Sequence, residues 1–544
     1  MTITNVLYHP TLKSKLTGRV LLDGKVIQYC GIKFGNIPAR FARSTHVDNY
    51  PPELDCTKYG PVAPQVPAPQ APSAIWALPP EFQKGPEFVI DEFECLNLIV
   101  SVPRGAKEGD SLPVLVFIHG GSNKVGSANI PLYDMSVLCA HSVEISKPVI
   151  MVAINYRVSI FGFGVLSDGT GANNGLYDQR LALQWIQKHI RGLGGDPTRV
   201  TLSGESAGAF GTDAHLHAKW SDERPELQLF RRAILLSGSL MSSRPRPAAV
   251  LNKVTRMYGA ELDGEGDPEE KLKSADWKEI VGVLDRMREG VWVYTEDGEF
   301  LEKPFKPYTF VPEWCDGIMI GDCDYESLIF AEQVLGTPPV ALVSAFQSLG
   351  ETGEKIIKAY DISGHNVHGG ALRFISDGFF IFPTERTIDH WKLKPGKHVH
   401  QYLMDQRNPW KPEAHGAHHA IDLLYLFGIL SFAYNNEGAV KVGRAFQNDV
   451  LNFVTAEKEV LDQELGCDEK NIKAYGRPDG FVGVIPSERL GERRRVDLMK
   501  TVLTELGDEV VAKAVGTVLR LADIASDLGP TAARVGGYPL GIEY

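Results

Sequence analysis

Ser206 stands at the centre of Gly204-Glu205-Ser206-Ala207-Gly208, after the apolar run Val200-Thr201-Leu202 and before the small residues Ala207, Gly208 and Ala209. Glycines two residues either side of a serine permit a sharp strand-to-helix turn on which the hydroxyl stands clear as a nucleophile. The helix start behind it offers unpaired N–H groups to a developing negative charge. A glycine-rich turn with a capping serine would read the same way over five residues, so the motif needs company. His119-Gly120-Gly121-Ser122 supplies some, following a second apolar run, Pro113 to Ile118. Acyl transfer passes through a tetrahedral oxyanion, which donors fixed in advance stabilise. The N–H groups of Gly121, Ser122 and Ala207 are the candidates for that oxyanion hole.

A nucleophilic serine needs a base, and the base needs an orienting acid. Acids cluster at Asp322, Asp324 and Glu326, and the chemistry of the side chains does not choose among them. Histidines cluster at His415, His418 and His419, with Asp422 close by. That cluster could equally be read as metal ligands, although no other ligand motif accompanies it.

The elements that must position these groups are legible in outline. Pro113 to Ile118 and Pro148 to Ile154 read as strands buried on both faces. Gly175 to Leu193 has helical spacing, with Leu181, Leu183, Trp185, Ile186 and Ile190 on its core face, and Val200-Thr201-Leu202 is a further strand. Strand, helix and strand with a crossover of this size imply a parallel sheet covered on both sides. Val20 to Phe41 predicts a meander on a sheet edge, and the proline-rich stretch within 60–95 predicts a long loop, a candidate lid. No internal repeat is evident.

With 544 residues, 43% hydrophobic and 23% charged, the chain can bury a large core. A net charge of −12 argues against a nucleic-acid partner. The basic run Arg493-Arg494-Arg495 reads as solvated surface. The longest apolar stretch, Ala420 to Tyr434, is broken by Asp422, so no membrane span is expected. The first residues do not read as a secretory signal, no Asn-x-Ser/Thr sequon occurs, and the seven cysteines are scattered. Cytoplasmic residence is the expectation.

The chain resembles the type-B carboxylesterase family, which includes cholinesterases, carboxylesterases and some fungal lipases. The resemblance lies in GIKFGNIPARF (31–41), YGPVAPQ (59–65), ECLNLIVSVP (94–103), VFIHGG (116–121), INYRVSIFGF (154–163), NNGLYDQRLALQW (173–185), GGDPTRVTLSGESAG (194–208) and LLSGS (235–239), in family order. It implies an α/β-hydrolase fold, one large domain over 1–544 with loop insertions capping the site; the C-terminal stretch 498–527 reads as helical and is expected to pack on that body or aid self-association. It also resolves the acid and the base. The family's glycine-led acidic turn puts Glu326 in the acid position, and its histidine nine residues before the glycine of Phe-Gly is His419, counted from Gly428. The implied enzyme is a serine ester hydrolase with a Ser206-Glu326-His419 triad, an acyl-enzyme intermediate and no cofactor or metal. Its implied substrates are hydrophobic or medium-size carboxylic esters; the alternatives are a dedicated hydrolase of one metabolite ester, lactone or lipid, and a non-catalytic binding protein on the same fold.

Several positions depart from the family. Ser122 replaces the third glycine of the oxyanion loop and narrows the space beside the acyl group. Ala63 stands where a cysteine partner for Cys95 is expected, leaving a free thiol or a pairing with Cys56. Ala420 replaces the glycine after the base. Trp76 is where a choline-binding aromatic would be sought but reads as packing, and Phe379, Phe380 and Phe382 line either the core or the acyl pocket.

Overall fold

A computed structural model describes residues 3–67, 75–83, 87–218, 228–288, 290–468 and 470–526. Its centre is a 13-stranded sheet made of β1 (Thr4–His9), β2 (Ser14–Leu21), β3 (Val26–Lys33), β4 (Glu53–Cys56), β5 (Asn97–Pro103), β6 (Leu112–Ile118), β7 (Ile150–Ile154), β8 (Gly195–Glu205), β9 (Arg232–Leu236), β10 (Gly317–Cys323), β11 (His398–Met404), β12 (Asn471–Tyr475) and β13 (Val482–Pro486). The spatial order is β1-β2-β3-β5-β7-β6-β8-β9-β10-β11-β12-β13, with β4 beside β2. From β7 to β12 every neighbour is parallel. The N-terminal meander and the last hairpin are antiparallel.

The sequence explains this division. Every residue of β7 is buried, as a strand covered on both faces requires, whereas β1 alternates exposed and partly covered positions as an edge strand does. In β6, Val114 and Val116 pack with α1 (Asn174–His189) and α2 (Ala207–Leu216), while Leu115 and Phe117 pack on the other face with α5 (Ile421–Phe427) and α6 (Glu437–Thr455). Each such buried aliphatic or aromatic side chain contributes about 1.5–3 kcal/mol. A further cluster joins α3 (Val367–Ser376) to α7 (Asp508–Ser526) through Phe374, Val511, Val515 and Val518. Helix α4 (Phe382–Lys392) lies between α3 and β11 in the chain.

Three expectations are refined. The C-terminal helical region packs on the body, but it is interrupted at Gly507, where φ is +82°, and α7 starts afresh at Asp508. Within the 60–95 loop, residues 68–74 and 84–86 lie outside the described residues. The described part is docked, with Val62 bridged to Ile90 and Trp76 buried. The arginine run is not solvated surface. Arg493 pairs with Asp405 at 2.6 Å, Arg494 with Asp322 at 2.5 Å and Arg495 with Asp377 at 2.5 Å, and Arg494 is 2% exposed. Three tertiary carboxylates neutralise what the local sequence presents as a bare charge run. No single helix among the described residues is long and apolar enough to cross a membrane.

Candidate active site

Strand β8 ends at Glu205 and α2 begins at Ala207, which leaves Ser206 alone at the turn with φ 54° and ψ −124°. Such backbone costs roughly 1–3 kcal/mol and persists only where the surroundings impose it. The flanking glycines allow the imposition: a Cβ on Gly204 would stand 2.1 Å from Gly208 O, and one on Gly208 2.0 Å from Ile118 O. Strand β9 adds a hydrogen bond from Ser206 N–H to Leu236 O at 2.9 Å.

The loop after β6 lies against this turn. A Cβ on Gly120 would meet Glu205 Oε2 at 2.6 Å and Ser206 Cβ at 3.1 Å. Gly121, Ser122 and Asn123 then follow with φ of 110°, 60° and 55°. Among the described residues nothing accepts from the N–H groups of Gly121, Ser122 or Ala207. The loop is held by its neighbours: Gln65 accepts from Gly126 N–H at 2.8 Å and donates to Gly126 O at 3.1 Å. The Tyr156 hydroxyl donates to His119 O at 2.8 Å while its ring stacks on the imidazole at 4.3 Å. Burial lowers His119 to about 4.

Glu326 opens a short turn after β10 and is fully buried. Its Oε1 accepts from Cys323 N–H at 2.7 Å, and its Oε2 lies 2.5 Å from His419 Nδ1. The rival acids are engaged elsewhere. Asp322 belongs to Arg494, and Asp324, its side chain 43% exposed, lies 3.6 Å from the same guanidinium. The loops bearing Glu326 and His419 are joined by their backbones: Tyr325 N–H donates to Ala417 O at 2.9 Å and His419 N–H to Tyr325 O at 3.3 Å.

The neighbouring histidines do not share the site. His418 Nδ1 lies 2.7 Å from His419 O, and its Nε2 accepts from Asn408 Nδ2 at 3.1 Å. Asp422 accepts from the Tyr402 hydroxyl at 2.6 Å. His418, His419 and Asp422 therefore turn to different partners. The histidine and carboxylate ligand atoms that converge among the described residues are those of His398, His400 and Asp462, which the sequence reading passed over although His398 and His400 form a legible H-x-H.

Sequence reasoning also missed Glu205. Its Oε1 is 3.0 Å from His419 Nε2, off the line of a directed hydrogen bond. Burial disfavours a charged His419, yet Glu205 and Glu326 outweigh it and raise the imidazole above its ordinary value. Burial raises Glu205, with His419 opposing. Phe380 covers the imidazole, ring centroids 4.7 Å apart, while Phe379 and Phe382 line a cleft together with Phe330, Val511 and Val515.

The family departures are accommodated. Ala420 keeps φ +65°, a left-handed conformation that glycine adopts at lower cost. The Trp76 indole donates to Ala420 O at 2.9 Å, so Trp76 packs behind the base loop. Cys95 is a buried free thiol, as are Cys56 and the other five cysteines.

The sequence profile of the carboxylesterase family matches residues 10–464. Lipase 3 of Yarrowia lipolytica is 31% identical over 460 residues, 82% of this chain and 87% of that protein. Lipase 1 of the same yeast is 29% identical over 496 residues, 85% and 92% of the two chains. The secreted triacylglycerol lipase LIP1 of Gibberella zeae is 40% identical over 207 residues, 35% of this chain and 33% of that one. The parallel sheet, the serine turn after β8 and these matches agree: the chain belongs to the carboxylesterase family and is an ester-hydrolysing enzyme of the α/β-hydrolase fold.

Proposed function

We propose that the chain hydrolyses hydrophobic carboxylic esters through an acyl-enzyme on Ser206. His419 acts as general base and then acid, and Glu326 fixes its tautomer. The observation that carries this reading is the contact of His419 Nδ1 with Glu326 Oε2 beside a serine held at positive φ. Ser206 Oγ attacks the carbonyl carbon as His419 Nε2 takes its proton. The oxyanion is received by the N–H groups of Gly121, Ser122 and Ala207; losing one such donor costs about 10²–10³ in rate. His419 then protonates the leaving alcohol, and water attacks the acyl-enzyme by the same route.

The cleft beside Phe379, whose ring meets the Phe380 ring that covers His419, supports hydrophobic acyl groups, because its lining is mainly aliphatic and aromatic. This favours lipid-like esters over small polar ones, in keeping with the lipase names of the fungal relatives. The seven unpaired cysteines support residence in a reducing compartment, in contrast to the Gibberella relative named as secreted.

The test is hydrolysis of short and long p-nitrophenyl esters beside Ser206→Ala, with an organophosphate probe of Ser206. Turnover lost in the variant, with labelling confined to the wild type, supports the reading. Equal turnover in both proteins would move Ser206 out of the reaction, and no turnover above buffer together with no labelling would favour a binding protein on this fold.

A further inference from the structure

We propose that His398, His400 and Asp462 form a binding site for a divalent transition-metal ion of the zinc class, at the end of the sheet opposite Ser206. Strand β8 delivers Ser206 at its C-terminal end, whereas the parallel β11 begins at His398. Side chains two apart on a strand share a face. The two rings are accordingly nearly parallel, 4° apart with centroids at 6.3 Å. Asp462 reaches them from the short helix Leu461–Leu465, its Oδ1 2.8 Å from His398 Nδ1 and 3.2 Å from His400 Nε2.

Ligand atoms of all three residues lie within 4.8 Å of one another. Imidazole nitrogen and carboxylate oxygen bind zinc at about 2.0–2.1 Å, which sets tetrahedral neighbours about 3.3 Å apart. The donor set closes around an ion with small side-chain adjustments. His400 supplies an independent observation. It is 3% exposed, and among the described residues neither of its ring nitrogens has a directed hydrogen-bond partner. A buried imidazole so placed is costly, and ligation through Nε2 satisfies it. The Asp462 side chain is 48% exposed and that of His398 19%, leaving an open side for access and for water as fourth ligand. The bound ion ties the segment after α6 to β11, so its effect is on stability.

The experiment uses the full chain, stripped with EDTA and dialysed, then titrated with Zn²⁺ by calorimetry and with Co²⁺ by visible absorption. The expected result is one equivalent, a four-coordinate Co²⁺ spectrum and a Tm that rises with Zn²⁺. Asp462→Asn and His398→Gln, both on the open side, weaken binding by about tenfold or more. His419→Ala controls for capture at the catalytic imidazole and keeps the equivalent. Wild type binding no more Zn²⁺ than Asp462→Asn overturns the proposal, and so does an equivalent that disappears in His419→Ala.

Discussion

The Nε2 of His419 lies 3.0 Å from Oε1 of Glu205, the residue just before Ser206. With Glu326 on the other ring nitrogen at 2.5 Å, the imidazole stands between two buried carboxylates. Two charges of one sign around a buried imidazole favour its protonated form. In the mechanism we propose, that suits the step in which His419 carries the proton of Ser206 and opposes the resting state, in which it must be free to accept one.

The first prediction concerns pH. Only neutral His419 accepts a proton, so kcat/KM rises with pH as the imidazole deprotonates. Burial lowers that imidazole, and Glu205 and Glu326 both raise it. Glu205→Gln removes a raising charge, so the acidic limb of the kcat/KM profile moves to lower pH. A profile measured with a p-nitrophenyl ester and unchanged in Glu205→Gln would show that the contact does not set the base.

The second prediction separates the three acids. Glu326→Gln keeps the shape and removes the charge that orients His419, and kcat falls by about 10²–10⁴. Asp324→Asn alters a half-exposed side chain paired at 3.6 Å with Arg494, and kcat stays within about twofold. Comparable losses in both variants would dissolve the assignment of Glu326.

Which parts of this site the sequence discloses follows from where the constraints lie. The turn at Ser206 and the loop at Gly121 are legible because local backbone space demands glycine, and glycine is visible in the sequence. The choice of Glu326 over Asp322 is not visible locally, because it depends on Arg494 arriving from the far end of the chain. Tertiary partnership likewise hides the neutralisation of Arg493-Arg494-Arg495, whose carboxylates come from Asp405, Asp322 and Asp377. His398 and His400 can be read as a pair, but Asp462 joins them only through the packing of the helix after α6.

A third prediction tests scaffold against chemistry within the family motifs. Arg157 and Asp178 are conspicuous in INYRVSIFGF and NNGLYDQRLALQW, yet they form a buried bidentate pair, Nε to Oδ2 at 2.7 Å and Nη2 to Oδ1 at 2.8 Å. Removing one partner leaves an uncompensated buried charge. Asp178→Asn is therefore expected to lower unfolding stability by about 3–5 kcal/mol in urea, while the folded fraction keeps its kcat. A stability change below about 1 kcal/mol would show that the pair is not holding the two motifs together.

The last prediction uses the cleft lined by Phe379, Val511, Ala512 and Val515. Each methylene moved from water into an apolar wall contributes about 0.8 kcal/mol, close to a fourfold gain in kcat/KM. In the wild type, kcat/KM should climb with acyl length while carbons enter the cleft and level off once it is filled. Ala512 is only half-buried, and leucine is a good helix former, so Ala512→Leu fills the cleft without breaking α7. The variant should lose about tenfold or more on the longest p-nitrophenyl ester and stay within about twofold on the acetate. Equal losses on both would mean that the substitution disturbs the site generally, and no loss on either would mean that the acyl chain lies elsewhere.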